Sequence, residues 1–113
     1  MTLRETDEHI IDVVAGDDGT PVEVALLWDG QPYDMSEGIR RVEFEMWGNS
    51  DTVVSGRAEV VDEEEARVRY EWKKGDMMGL EPRVYESRFR VVTDTGSVIS
   101  FPAPSTLPVK VIR

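Results

Sequence analysis

Cysteine is absent, and histidine occurs once, as His9. Without cysteine there are no disulfides and no thiolate metal sites, and redox chemistry gives no reading of the compartment. One histidine supplies no pair of imidazole ligands for zinc and no second base for a triad. Lysine is scarce: Lys73, Lys74 and Lys110 stand against ten arginines. No apolar run approaches the roughly 20 residues that span a bilayer. The opening Met1-Thr2-Leu3-Arg4-Glu5-Thr6-Asp7-Glu8 is polar and lacks the apolar stretch of a secretory signal. Helical periodicity is almost missing. The 113 residues fit a single domain, 1–113, with residues 1–8 read as an N-terminal extension.

Acidic charge, by contrast, is abundant. Twenty-three Asp and Glu against 13 Lys and Arg leave a formal charge of −10. Such a surface repels phosphate backbones and anionic lipid, so neither nucleic acid nor membrane is expected as a partner. An acidic, lysine-poor, arginine-retaining composition is what a halophilic protein shows, because carboxylates hold water when salt has screened their repulsion. A GC-rich genome encoding an ordinary acidic protein gives the same bias, and both readings stay open.

Period-two alternation recurs along the chain. Val22, Val24, Leu26 and Trp28 share one face of a strand that ends at the turn Asp29-Gly30. Val42, Phe44 and Met46 alternate with Glu43 and Glu45. Val68, Tyr70 and Trp72 alternate with Arg67, Arg69 and Glu71. Tyr85, Phe89 and Val91 alternate with Glu86, Arg88 and Arg90. Weaker strands are expected at 10–14, 52–54, 57–61, 97–101 and 107–112, with Ser55-Gly56 between two of them. One wet and one dry face per strand, with turn signals every 8–12 residues, predicts an all-β, immunoglobulin-like antiparallel β-sandwich of about 7–8 strands. Trp28, Phe44, Tyr70, Trp72, Tyr85 and Phe89 are expected to fill its core.

The residues that carry chemistry form no recognisable constellation. The serines at 36, 50, 55, 87, 97, 100 and 105 lie outside any nucleophile elbow. The glycines make neither a phosphate loop nor a dinucleotide fingerprint. Asp62-Glu63-Glu64-Glu65 reads as a solvated hairpin turn, since four consecutive acids splay outward instead of converging on calcium. Asp17-Asp18-Gly19 is likewise a turn. No catalytic residue, cofactor or metal is expected. Binding residues are sought instead among apolar side chains that the alternation leaves outside the core. Trp47 falls on the Glu43/Glu45 face, where it either anchors a partner or folds under a loop. Met77, Met78 and Leu80 lie in the loop 73–83, and contact with a partner is favoured there over tucking beneath the loop.

The order of these pieces resembles the immunoglobulin-like N-terminal domain of phage baseplate upper proteins. Three stretches carry its opening: Asp18-Gly19-Thr20-Pro21-Val22, Ala25-Leu26-Leu27, and Asp29-Gly30-Gln31-Pro32-Tyr33-Asp34-Met35. Ala58-Glu59-Val60-Val61-Asp62 and Val68-Arg69-Tyr70-Glu71-Trp72-Lys73-Lys74-Gly75-Asp76 are similar to its centre, the most specific part. Tyr85, Phe89, Val91, Gly96 and Phe101-Pro102 match its close. The likeness covers residues 10–112; Met35 stands where that family usually has leucine. It stops short of the receptor-binding segment that follows in the family, so an attachment domain is what it implies. The expectation is a non-enzymatic virion structural protein of a tail or baseplate. It would be made in the host cytoplasm and bound to other virion proteins in a symmetric, multi-copy assembly. A capsid decoration or turret protein on the head, and a cellular adhesion or accessory module, remain the alternatives.

Overall fold

The computed structural model describes residues 3–16, 20–36, 38–77 and 79–112. Among the described residues ten strands run in chain order: β1 Arg4–Thr6, β2 Ile11–Val14, β3 Val22–Trp28, β4 Gln31–Pro32, β5 Ile39–Gly48, β6 Asp51–Asp62, β7 Arg67–Tyr70, β8 Arg83–Thr93, β9 Val98–Phe101 and β10 Leu107–Ile112. They form one curled sheet in the order β1-β3-β7-β6-β5-β8-β10-β2, with β4 added to β3 and β9 to β8. The all-β, immunoglobulin-like sandwich expected from alternation is the observed fold.

The curl makes two layers from one sheet, and β6 is the hinge between them. Its first half, through Ala58, pairs with β5; from Glu59 onward it pairs with β7. β5 and β7, which do not pair, then face each other across the core. Phe44 of β5 stacks on Tyr70 of β7 at 4.7 Å between ring centroids, and Phe89 and the edge of Trp72 close around them. Buried Val22, Val24, Leu26, Val42, Met46, Val68, Val91 and Val109 fill the space between. At the other side of the sandwich the backbone N–H of Ala103 donates to the Arg4 carbonyl, tying β1 to the segment after β9.

The outer faces carry charge in ladders. On one layer Arg67 binds Asp7 and Glu23, and Arg69 binds Glu23 and Glu59. On the other, Glu45 holds Arg88 and Arg90. Cross-strand opposition of unlike charge is the stabilising arrangement on a wet sheet face.

The structure departs from the sequence reading at several points. Residues 4–6, read as extension, form β1, with Thr6 buried opposite Leu26. A three-residue polar strand has too little alternation to stand out. Residues 52–54 and 57–61 belong to the single strand β6. The Ser55-Gly56 step is no turn. A Cβ on Gly56 would lie 2.9 Å from a Tyr70 ring carbon, so glycine is there to admit the ring. The pairing is antiparallel everywhere except β2 with β10, which run parallel. Trp28 keeps its expected inward parity but is 36% exposed. It ends β3 at the mouth of the sandwich, stacked on Tyr33 at 5.7 Å, with Arg4 on its ring at 6.0 Å. His9 is exposed in a bend between β1 and β2.

Candidate functional site

The most specific segment of the sequence, 70–76, folds as a hydrogen-bonded corner. The Tyr70 hydroxyl donates to Asp76 Oδ2 at 2.5 Å, and the Lys73 backbone N–H donates to the same oxygen at 2.8 Å. Gly75, at φ +95°, makes the reversal that brings Asp76 back to the strand end. Trp72, just past β7, is buried and donates its indole N–H to the Thr20 carbonyl at 2.8 Å. Burial first, then the Asp76 carboxylate, hold the Tyr70 hydroxyl well above the usual phenol range. The spacing of Tyr70, Trp72, Gly75 and Asp76 thus has an architectural cause.

The loop that follows is packed inward. Met77 is only 6% exposed and belongs to the core, and half-buried Leu80 packs against it. Met77 thus tucks beneath the loop, and Leu80 does so in part. Apolar side chains in a loop that lies over an open sandwich end lose more water by closing that end than by waiting for a partner. The Tyr85 hydroxyl, bound to the backbone of Glu81, holds the loop down. Met78 lies outside the described residues, as does the turn Asp17-Asp18-Gly19. Trp47 does project from the outer face, as its parity predicts. It is half-buried: the Arg88 guanidinium lies 5.2 Å from its ring centroid, and Glu86 stands opposite on β8.

The acidic turn 62–65 is exposed, with the Glu65 N–H donating to Asp62 Oδ1. Among the described residues no three His, Asp or Glu side chains converge on a point.

A feature the sequence reading missed lies where β5 and β6 part. Their pairing ends at Val42–Ala58, yet β5 begins at Ile39 and β6 runs on to Asp62. A cleft of about 480 Å³ opens between them. Met35, Ile39, Val42, Ala58 and Val60 supply its apolar lining, and Arg40, Arg41, Arg57 and Glu63 its charges. Both strands carry an extra residue here. Arg40 bulges from β5 against β8, and Val61 from β6 against β7. The loop after β4 forms one wall. Asp34 Oδ1 accepts both the N–H and hydroxyl of Ser36, which keeps the Asp34 carboxyl below the usual carboxylate range. Buried Met35 plugs the floor. Beyond Met35 and Ser36 the cleft continues into a second hollow of about 630 Å³, bordered by Pro32, Tyr33, Asp34, Glu63 and Glu64. Alternation, a property of single strands, carries no trace of where two strands diverge.

No protein-family model matches the sequence, and no curated protein matches it. Among solved structures, CopC from Methylosinus trichosporium OB3b is similar in fold. Its TM-score is 0.53 at 13% identity, over 96% of this chain and 93% of that one. At that identity the likeness is one of β-sandwich architecture.

Proposed function

We propose that this chain is a non-enzymatic docking module of a tailed-virus particle, placed in the tail or baseplate and present in several symmetric copies. The observation that supports the reading is the adjacency of the segments that resemble the baseplate domain. Residues 32–36 and 58–63 border one continuous hollow, and 57–59 and 69–73 border a shallow groove on the other side of β6. Segments scattered along the sequence thus become neighbours on either side of β6. A rigid module suits an assembly built by repeating one interface. The acidic charge favours protein over nucleic acid as the partner. Trp47, half-buried beneath Arg88 on an outer sheet face, is the proposed rim contact. Tyr, Trp and Arg are the residue types that most often dominate such contacts.

Mass spectrometry of purified, fractionated particles tests the reading. The protein is expected in the tail fraction at a fixed ratio to the other tail proteins. Its absence from particles sinks the structural role, and its presence only with heads moves it to the capsid. Trp47→Ala should fold normally and incorporate less efficiently; unchanged incorporation removes Trp47 from the interface.

A further inference from the structure

We propose that the cleft between β5 and β6 binds an extended peptide segment of a partner protein by strand addition. The segment would be apolar in alternation, with an acidic residue toward Arg40, Arg41 and Arg57 and a basic residue toward Asp34, Glu63 and Glu64. The inference stands apart from the viral reading, since it rests on the cleft alone.

Three observations carry it. First, the strand edges are unmatched. Along Ile39–Arg41 of β5 and Glu59–Asp62 of β6, each strand is paired on one side only, to β8 and β7 respectively. The sides facing each other across the cleft have no strand between them. Alternate backbone N–H and C=O groups on such edges are available to a third strand, the main-chain mode of peptide recognition. Bulges at Arg40 and Val61, one on each wall, increase the local twist and splay the strands apart.

Second, the floor is apolar and partly open. Val60 is paired with Val68 and shares its inward face, yet it is 41% exposed on the cleft side. With Met35, Ile39, Val42 and Ala58 it forms a surface that would take every second side chain of an added strand.

Third, charge is divided along the hollow. In a chain of net charge −10, three arginines line one half and Asp34 and Glu64 the other, with Glu63 bordering both. Arg41 is held by Glu43 at 2.9 Å, and Arg40 donates to the Asp94 carbonyl at 2.8 Å. Exposed Arg57 has no ion-pair partner among the described residues. Opposite charges at the two ends give an extended segment a preferred register and direction, which is how complementary charge confers specificity.

The probe is an eight-residue peptide alternating valine with two glutamates in its first half and two lysines in its second. Its binding to the intact chain is followed by backbone amide NMR shifts and fluorescence anisotropy. Shifts are expected at residues 39–41 and 59–62, with a peptide N-methylated at alternate amides failing to bind. The Arg40→Glu, Arg57→Glu double variant should bind roughly tenfold more weakly, as loss of two facing charges implies. Its unchanged spectrum elsewhere would report an intact fold. Shifts spread over the acidic surface, or equal binding of the N-methylated peptide, would overturn strand addition. Concentration-dependent shifts at these amides without peptide, together with a dimer in sedimentation, would replace the partner peptide with a second copy of the chain.

Discussion

Tyr70 is the residue on which most of the molecule converges. Its ring stacks on Phe44, meets Trp72 edge-on at 5.6 Å, and rests against Gly56, while its hydroxyl anchors Asp76. Gly56→Val would drive a branched side chain into a ring held on all sides. A loss of about 1–3 kcal/mol is expected from such overpacking, read by urea denaturation. Trp72→Ala removes both the edge contact with Phe44 and the hydrogen bond to Thr20, and should cost about 3–5 kcal/mol. The Tyr70 hydroxyl also sets a pH dependence. The folded chain keeps the phenol protonated above the pH, about 10, at which an unfolded tyrosine ionises. Its stabilisation is therefore complete below pH ~10 and is lost as pH climbs toward the folded value, where the unfolded chain has released a proton that the fold retains. Unfolding midpoints should fall between pH 9 and 11 in the wild type and fall less steeply in Tyr70→Phe. Parallel slopes would show that the decline comes from elsewhere.

Among the elements, the β3–β4 hairpin was the most legible. Asp29 and Gly30 both have positive φ, +50° and +83°, and pairing Trp28 with Gln31 leaves them as a two-residue loop whose twist matches the strands. A Cβ on Gly30 meets nothing within 4 Å, so Gly30→Ala isolates the conformational cost, about 1–2 kcal/mol for an alanine held left-handed. Asp29 does a second job that no turn rule predicts. Its backbone N–H donates to the Leu3 carbonyl while its Oδ1 accepts the Leu3 N–H, both at 2.7 Å, so it clamps the start of β1. Asp29→Ala should therefore speed amide exchange at residues 4–6 while leaving the β5–β8 amides protected; equal acceleration in both would deny the clamp. The contrast explains what the sequence could and could not disclose. Strands with a wet and a dry face announce themselves residue by residue, and β3, β5, β7 and β8 were readable for that reason. β1 is polar and is held by partners 20 or more positions away. Gly56 looks like punctuation because its reason, the Tyr70 ring, comes from another strand. Met77 and Leu80 look free because the opening they fill exists only after the layers have packed. The cleft is of the same kind, the place where β6 leaves one neighbour for another.

At the scale of the whole molecule, two electrostatic terms oppose each other, and salt separates them. The ladders Asp7–Arg67–Glu23–Arg69–Glu59 and Arg90–Glu45–Arg88 are attractive. They lie on outer faces at contact range, where partly exposed pairs contribute little each and lose part of that on screening. The repulsion is spread more widely. With 23 acids against 13 basic residues, carboxylates such as those of the exposed turn 62–65 are left in excess, acting across the whole surface. Long-range repulsion is the term that salt removes most completely, because the Debye length shrinks from ~10 Å at 0.1 M to ~3 Å at 1 M while contact pairs stay within it. The unfolding midpoint should accordingly rise between dilute buffer and molar KCl. Sodium sulfate at matched ionic strength separates screening from exclusion: it strengthens apolar burial in any protein, whereas chloride acts mainly through charge. A rise in chloride that largely disappears in a variant with Glu63, Glu64 and Glu65 changed to glutamine assigns the effect to carboxylate repulsion. A flat or falling midpoint in KCl means that the ladders outweigh the excess, and the acidic composition then has no bearing on life in concentrated salt.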